Sequence, residues 1–344
     1  MNTINVLVTG AGSLYGVAVI QSLLKSKLHI KIVAIDIHSH ALGLHLACRS
    51  YLVPPVKEEE FYLEKLLEIL KKENIHAVFI ASSQELSFYS RYKTLIEAET
   101  NAKVFTNSAR VLSICSDKWN TVNFLKDHHF PYPKTIRYPE DKEQIDSFLK
   151  VVDFPLIVKP RRGKGSEDVH VAQNLMALHQ LLSEKKDIIL QQYLPDDQGE
   201  FTVGICSGMD GTVLSSIALK RHLQDGITMR ATSGDFKDIT EYCKQVAVAL
   251  KPYGPCNFQL RFWQEKAYIF EINPRFSSTT GMRTLLGVNE PEILLRSELL
   301  QEEIPELNII KSSVIRQYAD YLVPTEKISQ LEQESISTKS KTKE

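Results

Sequence analysis

Between residues 4 and 105, short apolar runs alternate with segments of helical spacing, and this alternation restricts the fold more than any other feature. Residues 4–9, Ile-Asn-Val-Leu-Val-Thr, are almost continuously apolar, as a parallel strand covered on both faces must be. Gly10-Ala11-Gly12 follows, then an amphipathic stretch over 14–25 and a second strand over 31–36 that closes on Asp36. Helical spacing over 61–72, an apolar run over 76–81, helical spacing over 85–97 and a strand over 103–105 continue the series. Strands separated by helices pair in parallel, so a small doubly wound α/β unit is expected over residues 1–110.

The remainder follows a different rule. Residues 108–127 read as two short helices with Ser116 as the cap between them, leading into the turn-rich His129-Phe130-Pro131-Tyr132-Pro133. Strand, glycine loop, strand, helix and strand then succeed one another over 155–191, an α+β pattern. After Gly199 come strand-rich stretches, a helix over 238–250, and two runs, 256–263 and 267–272, close enough to form a hairpin. The 344 residues exceed the roughly 250–300 at which one core stops growing, so two or three units with a site between them are expected. Residues 325–344 are polar and are expected to be a disordered tail.

Composition narrows the function classes. With 41 basic and 42 acidic residues, the chain lacks the excess that marks a general nucleic-acid binder. The five cysteines form no CxxC pair, as suits reduced thiols. The N-terminus has no basic leader, and nowhere are there about 18 consecutive apolar residues. A cytoplasmic protein that neither binds nucleic acid nor spans a membrane is the expectation.

Three constellations can carry chemistry. Gly10, Gly12 and Gly16 lie between a strand and a helix, with Asp36 ending the next strand, much as in a dinucleotide fingerprint. The third glycine falls one position late for GxGxxG, so a structural turn or a different small ligand stays open beside a nicotinamide cofactor. Next, Lys159 ends an apolar strand and is followed by Arg161, Arg162, Gly163, Lys164, Gly165 and Ser166. Such a loop can surround phosphate oxygens with N–H groups and an ammonium, or be a solvated basic turn. Last, Glu271 and Asn273 stand two apart on a strand and share a face, with Gln259 on the partner strand able to join them. Oxygen donors of this kind suit Mg²⁺, and Arg275 adds a fork for phosphate. Lys220-Arg221-His222 and Arg230 either meet an anion or are exposed strand charges.

Taken in order, Asp117-Lys118, Ile157-Val158-Lys159-Pro160 with its glycine loop, Gln191-Gln192-Tyr193-Leu194 with Gly199-Glu200-Phe201-Thr202-Val203, and Glu271-Ile272-Asn273-Pro274-Arg275 resemble the ATP-grasp superfamily. The resemblance is particularly to short carboxylate–amine ligases similar to one synthetase half of a carbamoyl-phosphate synthetase large subunit. The resemblance implies an N-terminal doubly wound, Rossmann-like pre-ATP-grasp domain followed by a two-lobed ATP-grasp domain. The boundaries are 1–110, 111–192 for linker helices and the lid subdomain, and 193–324 for the subdomain with the metal site. It implies Lys118 and Lys159 on ATP phosphates, and Gly163, Gly165 and Ser166 in a mobile loop over them. It further implies Gln192, Tyr193 and Leu194 at the adenine hinge and Glu200 on the ribose hydroxyls. Gln259, Glu271 and Asn273 would hold two Mg²⁺ ions, with Mn²⁺ as a substitute. Arg275 would act on the transferred phosphoryl group or acyl phosphate. Lys118, Lys159, Arg161, Arg162, Lys164 and Arg275 would then converge on one triphosphate. The expected activity joins a small-molecule carboxylate to an amine through an acyl phosphate, in a chain that can pair as a homodimer. The rivals are a nicotinamide-dependent oxidoreductase and a catalytically silent ATP-binding protein.

Overall fold

A computed structural model describes residues 3–163 and 167–341. The first unit is a parallel sheet of β1 (Ile4–Val8), β2 (Ile30–Asp36), β3 (Arg49–Leu52), β4 (Ala77–Phe79) and β5 (Lys103–Phe105), in the order β3-β2-β1-β4-β5. Helices α1 (Leu14–Leu24), α2 (Leu42–Leu46), α3 (Glu59–Lys72) and α4 (Leu86–Glu99) alternate with these strands. Val6, Leu7 and Val8 are fully buried, which is why β1 reads as an unbroken apolar run. The edge strand β3, Arg-Ser-Tyr-Leu, has no such pattern and is not legible from periodicity. Strand order reverses at β1, so the crevice of this sheet lies beyond the carboxyl ends of β1 and β4.

Helices α5 (Ala109–Cys115) and α6 (Lys118–Asp127) follow. Ser108 caps α5, and the Asp117 carboxylate caps α6 by accepting from the Trp119 N–H at 2.9 Å. Ser116, expected as the cap, is instead the helical C-cap of α5. Strands β6 (Thr135–Tyr138), β7 (Leu156–Pro160), β8 (His170–Ala172) and β9 (Ile188–Gln192) form an antiparallel sheet in the order β6-β9-β7-β8, accompanied by α7 (Ile145–Leu149) and α8 (Leu175–Glu184). Its core is its own: Leu156, Val158, Leu178 and Leu190 are fully buried there.

The largest sheet contains β10 (Glu200–Ser207), β11 (Val213–Gln224), β12 (Ile227–Ser233), β13 (Gly254–Trp263), β14 (Lys266–Asn273) and β15 (Ser313–Ile315). Its order is β14-β13-β10-β11-β12-β15, with α9 (Lys237–Leu250), α10 (Thr280–Leu285) and α11 (Glu290–Leu294) beside it. The β13–β14 hairpin turns on Gln264 and Glu265, both at positive φ, the two-residue geometry that matches strand twist. Val6, Phe79 and Phe105 of the first unit share one apolar core with Phe276, Ile293 and Leu294, and the Phe79 and Phe276 rings lie 5.8 Å apart. The first unit and the large sheet are therefore packed as one body, and the four-stranded sheet stands on a separate core.

The expected tail is in fact helical over α12 (Thr325–Lys341). Ile328 and Leu331, three residues apart, are half-buried, Leu331 packs against the first unit's core, and Glu332 accepts from Ser39 Oγ at 2.6 Å. One short apolar stripe suffices because a surface beside β3 receives it; composition carries no record of that surface. Among the described residues no helix is long and apolar enough to cross a membrane.

Candidate active site

A cleft of about 220 Å³ opens between the four-stranded and six-stranded sheets. Strand alternation builds one wall: Leu156 and Val158 of β7 point into the core, so Ile157 and Lys159 face the cleft. The opposite wall depends on a β-bulge. Gln259 pairs with Glu271 but Leu260 pairs with Ile269, leaving Phe270 as the extra residue, and Phe270 and Glu271 both reach the cleft. Ile157, Val169, Leu194, Leu223 and Phe270 supply apolar surface, and Lys118, Lys159, Arg221 and Arg261 supply charge.

The acidic face is sparse. Gln259 stands opposite Glu271, and Asn257 opposite Asn273. Glu271 is half-buried and has no hydrogen bond or ion pair among the described residues. It borders the cleft, a chamber of about 70 Å³ and an outer groove of about 890 Å³. Gln259 Oε1 accepts from Arg221 at 2.9 Å, and Asn273 Oδ1 accepts from Arg275 at 3.1 Å. Among the described residues no three His, Cys, Asp or Glu side chains form a cage. One free carboxylate with amide oxygens fits a divalent cation that brings most of its shell as water and phosphate oxygens, which is the habit of Mg²⁺.

The cations are unevenly compensated. Burial, with Lys118 and Arg261 close by, pulls the Lys159 ammonium down to about 7 against the opposing pull of Glu271 and Glu200. Its charge lies over the Phe270 ring, 5.5 Å from the centroid. Arg275 is 6% exposed, and burial holds its guanidinium below the ordinary value. Glu200 is clamped from both sides, by Arg221 at 2.5 Å and Arg261 at 3.0 Å. A ribose hydroxyl would thus meet a carboxylate already charge-paired, with only its remaining lone pairs to offer.

Several expectations change. Arg161 does not reach the phosphate region: it pairs with Asp117 at 2.8 Å, Glu140 at 3.0 Å and Asp187 at 3.4 Å, because the buried Asp117 carboxylate needs a counter-charge. Arg162 is exposed and leans on the same Asp117. Lys118 lines the cleft and lies 3.5 Å from the Gly163 carbonyl, whereas Lys164, Gly165 and Ser166 lie outside the described residues. Gln192 and Leu194 line the cleft, whereas the Tyr193 ring packs against Arg261. The Leu194 carbonyl accepts from Arg261. Arg261 went unread in the sequence, although its place two residues after Gln259 puts it on the same strand face.

The glycine motif is a structural turn. Asp36 accepts from the Gly12 N–H at 2.7 Å and the His38 N–H at 3.0 Å, so its carboxylate is engaged by its own backbone. A Cβ on Gly10 would lie 2.8 Å from Ser82 Cβ, and one on Gly16 2.4 Å from the Gly10 carbonyl oxygen. The loop closes on itself and delivers Tyr15, whose ring centroid lies 3.9 Å from the Arg275 guanidinium. This corrects the nicotinamide reading, which needs Asp36 and the loop amides free for a ligand.

Residues 6–104 match the family described as a PylC-like N-terminal domain, residues 115–241 a RimK-like ATP-grasp domain, and residues 184–319 an ATP-grasp domain in the biosynthetic pathway with the Ter operon. The chain is 23% identical over 258 residues to a carbamoyl phosphate synthase large chain of Clostridium acetobutylicum, covering 70% of this chain and 24% of that one. It thus spans about a quarter of that relative's length. It is 23% identical over 342 residues to a formate-dependent phosphoribosylglycinamide formyltransferase of Bacillus velezensis, covering 92% and 84%. The fold resembles that of an N5-carboxyaminoimidazole ribonucleotide synthetase in its ADP complex, with a TM-score of 0.70 at 14% identity, over 91% of this chain and 81% of that one.

Proposed function

The chain belongs to the ATP-grasp superfamily, and from that premise we propose that it is an ATP- and Mg²⁺-dependent ligase joining a small-molecule carboxylate to an amine. One observation carries the reading: Glu271, a carboxylate with no side-chain hydrogen bond or ion pair among the described residues, stands where a nucleotide-sized cleft meets a smaller polar chamber, between the buried cations Lys159 and Arg275, on both of which it acts electrostatically.

Ile157, Leu194 and Phe270 would hold the base, Glu200 would meet the ribose, and Lys118 and Lys159 would take the phosphates. Gln259, Glu271 and Asn273 would hold Mg²⁺, which when bound neutralises charge on the phosphate oxygens. An oxygen of the acid attacks the γ-phosphorus, the bond to the β–γ bridging oxygen breaks, and ADP leaves an acyl phosphate. The amine then attacks the acyl carbon, phosphate departs and the nitrogen loses a proton, leaving an amide. Arg275 sits beside the reacting oxygens and stabilises their charge from a desolvated site, where such an interaction is strongest. The four-stranded sheet, on its own core, is the part of the molecule able to close over the acyl phosphate and exclude water.

The deciding assay measures ADP and phosphate release over a panel of carboxylates with amines, in wild type and Glu271→Ala. A loss of at least about a hundredfold is expected for the variant. Unchanged activity would reject the metal face, and tight ATP binding without turnover over the whole panel would favour a silent nucleotide binder.

A further inference from the structure

The 70 Å³ chamber lies across the Glu271–Gln259 face from Lys159 and the base-binding surface, and it differs from the cleft in character. Its walls are almost wholly polar, including Thr202, Thr228, Asn257, Ser277 and Thr279, with Tyr15 as the aromatic member. Arg275 borders it and forms no ion pair among the described residues: its Nε donates to Ser83 Oγ at 2.7 Å, and its terminal nitrogens donate to the Phe276 carbonyl at 2.7 Å and Asn273 Oδ1 at 3.1 Å. All three acceptors are neutral. A buried guanidinium that hydrogen-bonds to neutral acceptors, meets the Tyr15 side chain and has Glu271 acting on it only at longer range, without an ion pair, favours an arriving anion. At about 10–15 Å³ for each water-sized group, the chamber has room for roughly five to seven non-hydrogen atoms.

We propose that this chamber is the acid subsite and that Tyr15 sets its specificity: the ring closes the chamber against Arg275 and limits the acid to two or three carbons. The inference rests on the ligase reading above and adds to it a substrate class and a residue. It also gives the Gly10–Gly16 turn a purpose. The close backbone packing at Gly10 and Gly16 holds the start of α1 where Tyr15 meets Arg275, and Ser83, from the segment after β4, fixes the guanidinium edge. Both contacts come from the crevice of the first sheet, so that crevice shapes the acid site of the neighbouring unit.

The test uses the full chain loaded with ADP·Mg²⁺ and titrated calorimetrically with lactate, glycine or 3-phenylpropionate, in parallel with ADP release from ATP on each acid plus amine. Wild type is expected to prefer lactate or glycine over 3-phenylpropionate by at least tenfold. Tyr15→Phe, which keeps the ring, should preserve that preference. Tyr15→Ala should weaken the short acid about tenfold and raise 3-phenylpropionate relative to it by at least tenfold, with ADP·Mg²⁺ affinity unchanged as the check of folding; Tyr15→Leu serves if the alanine variant fails that check. A length preference identical in wild type and Tyr15→Ala, or wild type accepting the long acid equally well, overturns the inference and leaves the ligase reading standing. Failure of every acid to bind or to promote ADP release overturns both.

Discussion

Binding of ADP·Mg²⁺ at pH 8 should take up close to one proton, and Lys159 is where that proton goes. The side chain is 6% exposed, and burial lowers its ammonium to about 7, from an ordinary value near 10.4. At pH 8 a group of that pKa is protonated in roughly one molecule in eleven. With Lys159 on the phosphates, as proposed, their oxygens would favour the charged form and return it toward its ordinary range. The expected uptake is therefore about 0.9 proton at pH 8, about 0.5 at pH 7 and close to none at pH 6. The sign follows directly: the complex holds more protons than the free protein above pH 7, so affinity falls as pH rises, approaching tenfold per unit. The nucleotide does not supply this signal at pH 8, because its last phosphate ionisation lies at about 6. Calorimetry in two buffers of different ionisation enthalpy reads the uptake as a slope, and Lys159→Met should abolish it. A zero slope in wild type at pH 8 despite binding, or an undiminished slope in Lys159→Met, would refute the reasoning.

Glu85 offers an independent titration. Burial raises its carboxyl to about 7, Asp36 adds to the rise, and hydrogen bonds from Thr9 and Tyr62 oppose it. The folded chain then binds more protons than the unfolded one between about pH 4.5 and 7, so stability declines across that window as pH rises, by about 3–4 kcal/mol at most. Glu85→Gln should flatten the dependence of melting temperature on pH from 5 to 8, and an equal decline in both proteins would dismiss Glu85 as its source. Gly204→Ala should cost about 3–5 kcal/mol in denaturant unfolding, because its Cβ would fall 2.4 Å from Arg283 Nε and 2.5 Å from Glu290 Oε1, an ion pair buried to 1% exposure on both sides. A loss below about 1 kcal/mol would mean that the pair yields easily.

How much was legible follows from the range of each rule. Strand and helix periods are local, so the first unit, the hairpin and the shared face of Glu271 and Asn273 could be read within a few residues of each site. The cap was only half legible: Asp117-Lys118 reads as opening a helix, but Ser116 beside it is an equally good capping residue, and only the structure, in which Ser116 continues α5 and Asp117 accepts from the Trp119 N–H, separates the two. The fate of Asp36 escaped for a like reason: a carboxylate ending β2 looks the same in a sequence whether it meets a ribose or the Gly12 N–H.

The sequence by itself determined which chemistries the chain holds, because glycine turns, strand alternation and an oxygen-donor pattern ending in Arg275 are written in neighbouring residues. Only the tertiary structure decided what each charge does. Arg161 serves Asp117, Arg221 and Arg261 serve Glu200, and Arg275 forms no ion pair among the described residues and is met by Tyr15. Those assignments join residues remote in the chain, and the shared core around Phe79 and Phe276 brings the first unit's part of them into reach. Whether a cation is a structural strut or a ligand site depends on which carboxylate packing leaves within reach of it, and no local pattern contains that information.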